Sequence, residues 1–525
     1  MIKSLINKIL GKPADGARAK GRSPRRPKTT GIPVGQRVDI PASVHGIDAS
    51  LVDDRAFKVV QTLHDAGYEA YIVGGAVRDL LLGLRPKDFD VATNATPEQV
   101  KGLFRRAFII GRRFRIVHVV YGRGREHEVI EVSTFRAYLD AGAAEQVAGN
   151  EKTSRKELAD KSHVVDASGR VLRDNVWGPQ DQDAARRDFT VNAMYYDPTS
   201  GIVVDYHGGL QDARDRVLRM IGDPEVRYRE DPVRIIRVVR FAAKLGFDIE
   251  PETREPLRAM AELLRNVPQS RLFDEMIKLL QTGHATASLN QLRKEGLEHG
   301  VFPILDAVFD PSRPADPDRE RFIQLALDDT DRRVAEGKSV APSFLLACLL
   351  WHDVQSQWQR LQGEGHAPFP ALQLATDAVF DARIGDISGR GKLAADMREI
   401  WTMQPRFDRR IGNGPLTLVE QPRFRAGFDF LRLRAQIGEV DESLATWWEA
   451  FSLGDMPERR HLMEVARDEE TARRQARAAQ PGGGGDAPAA GDAPARKRRR
   501  RRRKPAGAGE AVGQGESSGG DEGNA

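Results

Sequence analysis

Apolar and polar residues settle into regular patterns from about Ala49 onward. Between Arg55 and Ala66, Phe57, Val60 and Leu63 recur at helical spacing and Gly67 stops the run, which predicts an amphipathic helix. The apolar run Ala70–Val73 predicts a short buried strand. It ends in Gly74–Gly75, after which helical spacing resumes through Leu82 and Gly83 closes it. Residues 87–93 and 127–135 read as strands, and Phe108–Val119 as strand, turn and strand. The polar stretch 140–175 predicts a mobile loop. From Asp212 onward no further clear strand is visible. Helical patterns dominate to about residue 470, broken by the Pro/Asp-rich Asp310–Asp318. These patterns predict a mixed α/β head followed by an all-helical body.

Composition adds the two ends. Residues 11–45 and 480–525 are rich in Gly, Pro and small or basic residues, which predicts disorder. The formal net charge of +5 is unevenly spread: +8 in residues 1–40, +3 in residues 481–525, and −6 between them. A uniformly basic coat is excluded, so nucleic acid would be held by local patches and tails. A chain of 525 residues should hold roughly two to four domains. Its single cysteine, Cys348, forms no internal disulfide and no thiolate metal site, which predicts a cytoplasmic protein. No run approaches the ~18 apolar residues of a membrane span. Met1–Leu10 carries Ile2, Leu5, Ile6 and Ile9 around Lys3 and Lys8; it lacks the apolar core and cleavage site of a signal peptide, and reads as a frayed basic end rather than an interfacial helix.

Candidate chemistry is concentrated at Tyr71–Gly83 and just beyond. A strand that runs into two glycines and then a helix leaves backbone N–H groups free at the helix start, where the dipole also favours phosphate. Gly74 and Gly75 lack Cβ, so a triphosphate could come close, and Arg78 would add a fixed positive charge. Alone, such a turn is more often only a turn. Asp88 and Asp90 change the weighting. Residues i and i+2 of a strand share a face, and two neighbouring carboxylates are relieved by a cation. Oxygen-only ligands suit Mg²⁺, which accepts substrate phosphates as further ligands. A two-metal phosphoryl-transfer site needs a third carboxylate. Glu131 and Asp188 are the candidates, the second within Arg186-Arg-Asp-Phe-Thr-Val-Asn192. Arg186, Arg187 and Asn192 suit triphosphate and ribose, although the same run would make an ordinary first helical turn.

Four motifs then occur in order: Gly74-Gly-Ala-Val-Arg-Asp79, Asp88-x-Asp90, Arg186-Arg-Asp-x-x-x-Asn192 and Arg229-Glu-Asp-Pro-Val-Arg234. Through them residues 50–300 resemble the class II nucleotidyltransferases of the DNA polymerase β superfamily, which comprise bacterial poly(A) polymerases and CCA-adding enzymes. The resemblance implies an α+β fold: a small mixed-sheet nucleotidyltransferase head, then an all-helical neck, body and C-terminal domain between disordered basic tails. The corresponding segments are 1–48 (leader), 49–210 (head), 211–320 (neck and body), 321–470 (arginine-rich C-terminal domain) and 471–525 (tail). It implies nucleotide addition to RNA 3′ ends from nucleoside triphosphates with Mg²⁺. Asp88 and Asp90 match the metal-binding carboxylates and Asp188 a third acid, with Glu131 the geometric rival. Arg186, Arg187 and Asn192 match a sugar and phosphate stretch, and Asp231 and Arg234 the base-reading pair. At i and i+3 that pair would share a helix face. A carboxylate accepting from an exocyclic amine beside a guanidinium donating to a ring nitrogen selects A or C over G or U. Arg237 and Arg240 continue the same helix as a basic stripe.

Phe108-Ile-Ile-Gly-Arg-Arg-Phe-Arg-Ile-Val-His-Val119 resembles the signature of the poly(A) polymerase branch. Its turn offers Arg112, Arg113 and Arg115 for an RNA backbone or triphosphate. The nine-residue basic run Arg496–Lys504 suits sequence-independent, salt-sensitive RNA attraction. The reading favoured is therefore adenylyl transfer from ATP to RNA 3′ ends in the cytoplasm, with RNA-decay machinery as an expected partner class. A CCA-adding enzyme and a catalytically silent RNA-binding protein are the alternatives. Trp351-His352-Asp353 could mark a metal-dependent phosphohydrolase, but no further ligand set accompanies it and a structural histidine is favoured.

Overall fold

The computed structural model describes residues 35–111, 115–122, 127–138, 145–146, 163–165, 171–174, 176–309, 316–383 and 391–479. Residues 1–34, Arg112, Arg113, most of 140–175 and the tail with Arg496–Lys504 lie outside the described residues. The chain divides into two units, residues 1–466 and 467–525, and of the second only the helical stretch 467–479 is described.

Among the described residues eleven strands build the head: β1 Val38–Pro41, β2 Ala70–Val73, β3 Asp90–Thr93, β4 Ala107–Ile110, β5 Ile116–Tyr121, β6 Glu128–Thr134, β7 Glu145–Gln146, β8 His163–Val165, β9 Val171–Asp174, β10 Tyr195–Asp197 and β11 Ile202–Asp205. Eight of them form one mixed sheet in the order β1-β11-β10-β2-β3-β6-β5-β4. All its pairs are antiparallel except β3 with β6. β7, β8 and β9 form a small separate sheet. Helices α1 Asp54–Asp65, α2 Gly75–Leu81 and α3 Pro97–Leu103 connect these strands. The first begins where the Asp53 carboxylate accepts from Arg55 N–H at 2.8 Å, and it buries Ala56, Val59, Val60 and Leu63. The third opens with a reciprocal capping box between Thr96 and Gln99. Val91, Val117, Val119, Ile130 and Val132 project into a core shared with these helices. The opposite face of the sheet carries a smaller cluster of Val73, Ala92, Phe135, Tyr195 and Val204.

Four expectations change here. Residues 38–41, placed in the disordered leader, pair with β11 as an edge strand; only Ile40 of the four is buried, so alternation gives almost no signal. The stretch 140–175, expected to be a loop, contains three short strands among its described residues. Asp88 precedes β3 instead of lying on it, because the strand starts at Asp90. Beyond Asp212, Val217–Leu218 (β12) and Asp248–Ile249 (β13) pair in parallel, each too short for periodicity to register.

Helix α4 Gln180–Arg186 returns the chain to the sheet, and α5 Pro224–Glu230, α6 Val233–Leu245 and α7 Gln269–Leu280 begin the helical part. One apolar core gathers Phe189, Tyr228, Val239, Phe273, Leu305, Phe344, Trp401 and Phe430. A second surrounds Phe407, Trp448 and Phe451. Cys348 and Trp351 of the helix Pro342–Gly363 are fully buried. His352 packs edge-on to Phe322, and Asp353 pairs with Arg383 at 3.3 Å.

Candidate active site

The site begins where the buried strand β2 meets Gly74. That residue adopts φ +72°, ψ −134°, a conformation that side-chain-bearing residues resist, and it lets α2 start at once with Gly75. Two arginines lie beneath the turn. Arg78 is 2% exposed; it donates through Nη1 to Asn192 Oδ1 at 2.6 Å and through Nε and Nη2 to Asp79 Oδ1 at 2.9 and 2.7 Å. A Cβ on Gly75 would meet the Arg78 guanidinium at 3.3 Å. Arg187 donates to Tyr195 Oη at 3.2 Å, the Asn192 carbonyl at 3.4 Å and Asp183 Oδ2 at 3.1 Å, and a Cβ on Gly74 would lie 3.5 Å from it. Expected as a direct phosphate contact, Arg78 is almost fully buried and spends one N–H from each of its three nitrogens on Asp79 and Asn192. Asn192 is likewise engaged, through its Oδ1.

Across the sheet, β3 starts with Asp90, opposite Val73 of β2 on one side and Glu131 of β6 on the other. Cross-strand partners share a face, so the two carboxylates are neighbours. Asp90 reaches solvent, yet protein crowds it on most sides. Its carboxyl is pushed up to about 6, chiefly by lost hydration and next by Glu131 and Asp88, against the pull of Arg187. A carboxylate crowded by two further acids fits a divalent cation, and all-oxygen donors fit Mg²⁺. Among the described residues no three potential ligands converge closely enough to hold an ion by themselves. Glu131 Oε1 also meets His118 Nε2, its partner on β5, at 3.1 Å.

Asp188, expected as a third acid of the site, is engaged by α6 and by the backbone of its own segment. Its Oδ2 accepts from Arg237 of α6, with Nε at 2.8 Å, and its Oδ1 accepts from Phe189 N–H at 2.9 Å. Burial works to raise its pKa, but Arg237, with help from Arg234, holds the carboxyl below the usual range. The acids acting on Asp90 are Glu131 and Asp88.

The Arg229–Arg234 motif straddles two helices. Asp231 caps α5, and Pro232 precedes α6, so the pair is joined through Arg234 N–H to the Asp231 carbonyl at 3.0 Å and not along one helix face. Asp231 Oδ2 accepts from Arg271 of α7 at 2.6 Å. Arg234 donates to Glu230 Oε2 and to the Arg227 carbonyl, both at 2.9 Å. Arg227, 2% exposed, ties this junction to the head by donating to the Arg186 and Arg187 carbonyls at 2.8 and 2.5 Å. Burial and then the like charge of Arg234 lower its pKa to about 10. Arg237 and Arg240 do not form an open basic stripe. They sit over the Phe241 ring at 5.3 and 4.5 Å and pair with Asp188 and Glu275. Arg115 pairs with Glu98 at the far edge of the sheet. Sequence patterns missed Arg227, Arg271, Tyr195, Asp183 and His118, although Arg227 lies only two residues before the fourth motif.

Three family models match the chain: the poly A polymerase head domain over residues 70–219, the probable RNA and SrmB-binding site of polymerase A over 246–309, and the polymerase A arginine-rich C-terminus over 364–505. Poly(A) polymerase I of Salmonella typhimurium is 42% identical over 438 residues, 83% of this chain and 90% of its own. That of Haemophilus influenzae is 43% identical over 78% of this chain and 86% of its own. The CCA-adding enzyme of Lactobacillus helveticus is 36% identical over 225 residues, 43% of this chain and 49% of its own.

Proposed function

The chain belongs to the poly(A) polymerase family of RNA nucleotidyltransferases, and from this premise we propose how its own residues add AMP from ATP to RNA 3′ ends. The observation that carries the adenylyltransferase reading over the CCA-adding one is the extent of similarity, which spans the head and the C-terminal region for poly(A) polymerases and about half the chain for a CCA-adding enzyme.

In this reading the triphosphate lies along Gly74–Gly75, where the missing side chains let its oxygens approach the backbone. Arg187 supplies fixed positive charge from beneath, and Arg186 stands at its flank; Arg78 acts one step removed, by holding Asn192 and Asp79. Asp88, Asp90 and Glu131 would hold Mg²⁺, which when bound neutralises phosphate charge and acidifies the attacking hydroxyl. We assign the third acid to Glu131, supported by its register with Asp90, and give Asp188 the task of fixing α6 to the head. Asp231 and Arg234 read the adenine edge, the first oriented by Arg271 and the second by Glu230. The RNA 3′-hydroxyl attacks the α-phosphorus, the bond to the β-phosphate breaks, and pyrophosphate leaves. The head then extends from Val38 to about 210, with neck and body to about 320 and the C-terminal domain to about 470. A cytoplasmic setting is supported by the one cysteine, buried Cys348; no described helix is long and apolar enough to cross a membrane.

Incubating the full-length protein with labelled RNA, Mg²⁺ and each nucleoside triphosphate singly tests the reading. Long homopolymer tails from ATP alone are the expected product. Completion of a tRNA with CCA would replace it by the CCA-adding reading, and no product would leave an RNA-binding protein.

A further inference from the structure

Among the described residues, the half of the sheet beyond β3 is uncovered on the face that carries Asp90, where Phe108, His118 and Glu131 all reach solvent. One residue from each strand makes a row across it. Asp90 is opposite Glu131, Glu131 opposite His118, and His118 opposite Phe108. Directly opposed residues project to one side, so the row runs from the acids to an aromatic ring over three strand spacings, roughly 14 Å. Phe108 is 56% exposed, on the outermost strand. Flanking rows add Ile110 opposite Ile116 and Val120 opposite Val129, all only half-buried. An open sheet face normally presents polar residues. Here Phe108, Ile110, Ile116, Val120 and Val129 share it with Glu131, His118 and Ser133, and His118 is held in place by Glu131.

Direction identifies the occupant. The glycine turn, Arg187 and Tyr195 lie on the β2 and β10 side of the acids, and the base-reading junction is attached to that side through Arg227. In phosphoryl transfer the attacking and leaving oxygens are in line, on opposite sides of the phosphorus. With pyrophosphate leaving on the β2 side, the attacking 3′-hydroxyl arrives from the β6, β5 and β4 side, along the row. Exposed Arg105 and Arg106 precede β4 at its outer edge, where an RNA backbone would pass. Aromatic rings in such a path stack successive bases with little sequence preference.

We propose that the open face of β6, β5 and β4 seats the last nucleotides of the RNA, with a base stacked on Phe108 and the chain guided to Asp90 past His118. The proposal rests on the adenylyltransferase reading and on the place given to the triphosphate. It is tested with the full-length protein, Mg²⁺, ATP and oligo(A) RNA, against the same RNA with abasic riboses at its last three positions. Phe108→Ser should raise the KM for oligo(A) about tenfold, as loss of one stacked base implies, while the KM for ATP at saturating RNA stays within twofold. Phe108→Trp should restore it. The abasic RNA should bind wild type poorly and lose nothing further with Phe108→Ser. An unchanged KM for oligo(A), an equal loss with abasic RNA, or a loss that appears in the KM for ATP overturns the proposal. Wild-type protein that extends no RNA would instead overturn the reading beneath it. Thermal melting of Phe108→Ser should match wild type, since the ring is exposed.

Discussion

At the scale of single residues, the acids divide by what their neighbours do to them. Asp90 is raised by burial, Glu131 and Asp88, whereas Asp188 is held down by Arg237. Substitution should separate them. Asp90→Asn should abolish AMP addition with RNA binding kept, and Glu131→Gln should lower kcat by about 10²-fold. Asp188→Asn should leave Arg237 short of its counter-charge, destabilise the protein by about 3 kcal/mol and raise the KM for ATP more than it lowers kcat. Steady-state kinetics on the three variants check this, and a silent Glu131→Gln would return the third-acid role to Asp188. A pH effect follows as well. The Asp90 pKa is higher in the folded chain than in the unfolded one, so the folded state binds the extra proton and metal-free stability falls as pH rises from about 4 to about 6. Asp90→Asn should therefore raise the metal-free melting temperature at pH 7, with the gain vanishing below about pH 4. A gain independent of pH would show that the crowding is not electrostatic.

At the scale of elements, Gly74 and Arg227 show what the sequence made legible and what it hid. The strand–glycine–helix unit was readable because β2, the turn and α2 are contiguous and each has a local signature: an apolar run, two glycines, a 3.6-residue period. Gly74→Ala should cost about 1–3 kcal/mol through its positive φ and depress kcat/KM for ATP, measured by melting and kinetics together. The Arg229–Arg234 motif was legible as a string, yet its placement was not. Asp231-Pro232 ends one helix and starts another, and the groups that orient Asp231 and Arg234 come from Glu230, Arg227 and Arg271. Periodicity has no term for a contact forty residues away, nor for a guanidinium turned inward onto backbone carbonyls. For the same reason the arginines at 237 and 240 looked like a solvent stripe, whereas each is paired with a carboxylate, Arg237 half-buried and Arg240 buried. Arg227→Met should uncouple α5 from Arg186 and Arg187, with a destabilisation of about 3–5 kcal/mol and a raised KM for ATP. An unaltered melting curve would rule out that coupling.

At the scale of the whole molecule, charge of +8, −6 and +3 along the chain leaves an acidic catalytic body between two basic ends. Deleting Arg496–Lys504 should weaken RNA affinity and flatten its dependence on salt, because fewer phosphate counterions are released. Titrations from about 50 to 200 mM salt would expose a tail that takes no part, through an unchanged slope. The head has a further consequence at its other margin. Its sheet is closed on one side by β1, the strand drawn from residues that looked like leader, and β11 depends on it for half of its backbone partners. A variant begun at residue 49, where regular patterning starts, would strip that strand away and leave a row of unmatched N–H and C=O groups. Bare edges of this kind recruit strands from other molecules. Such a protein should keep every residue of its chemistry and still be lost to self-association, whereas one begun near residue 35 should stay monodisperse.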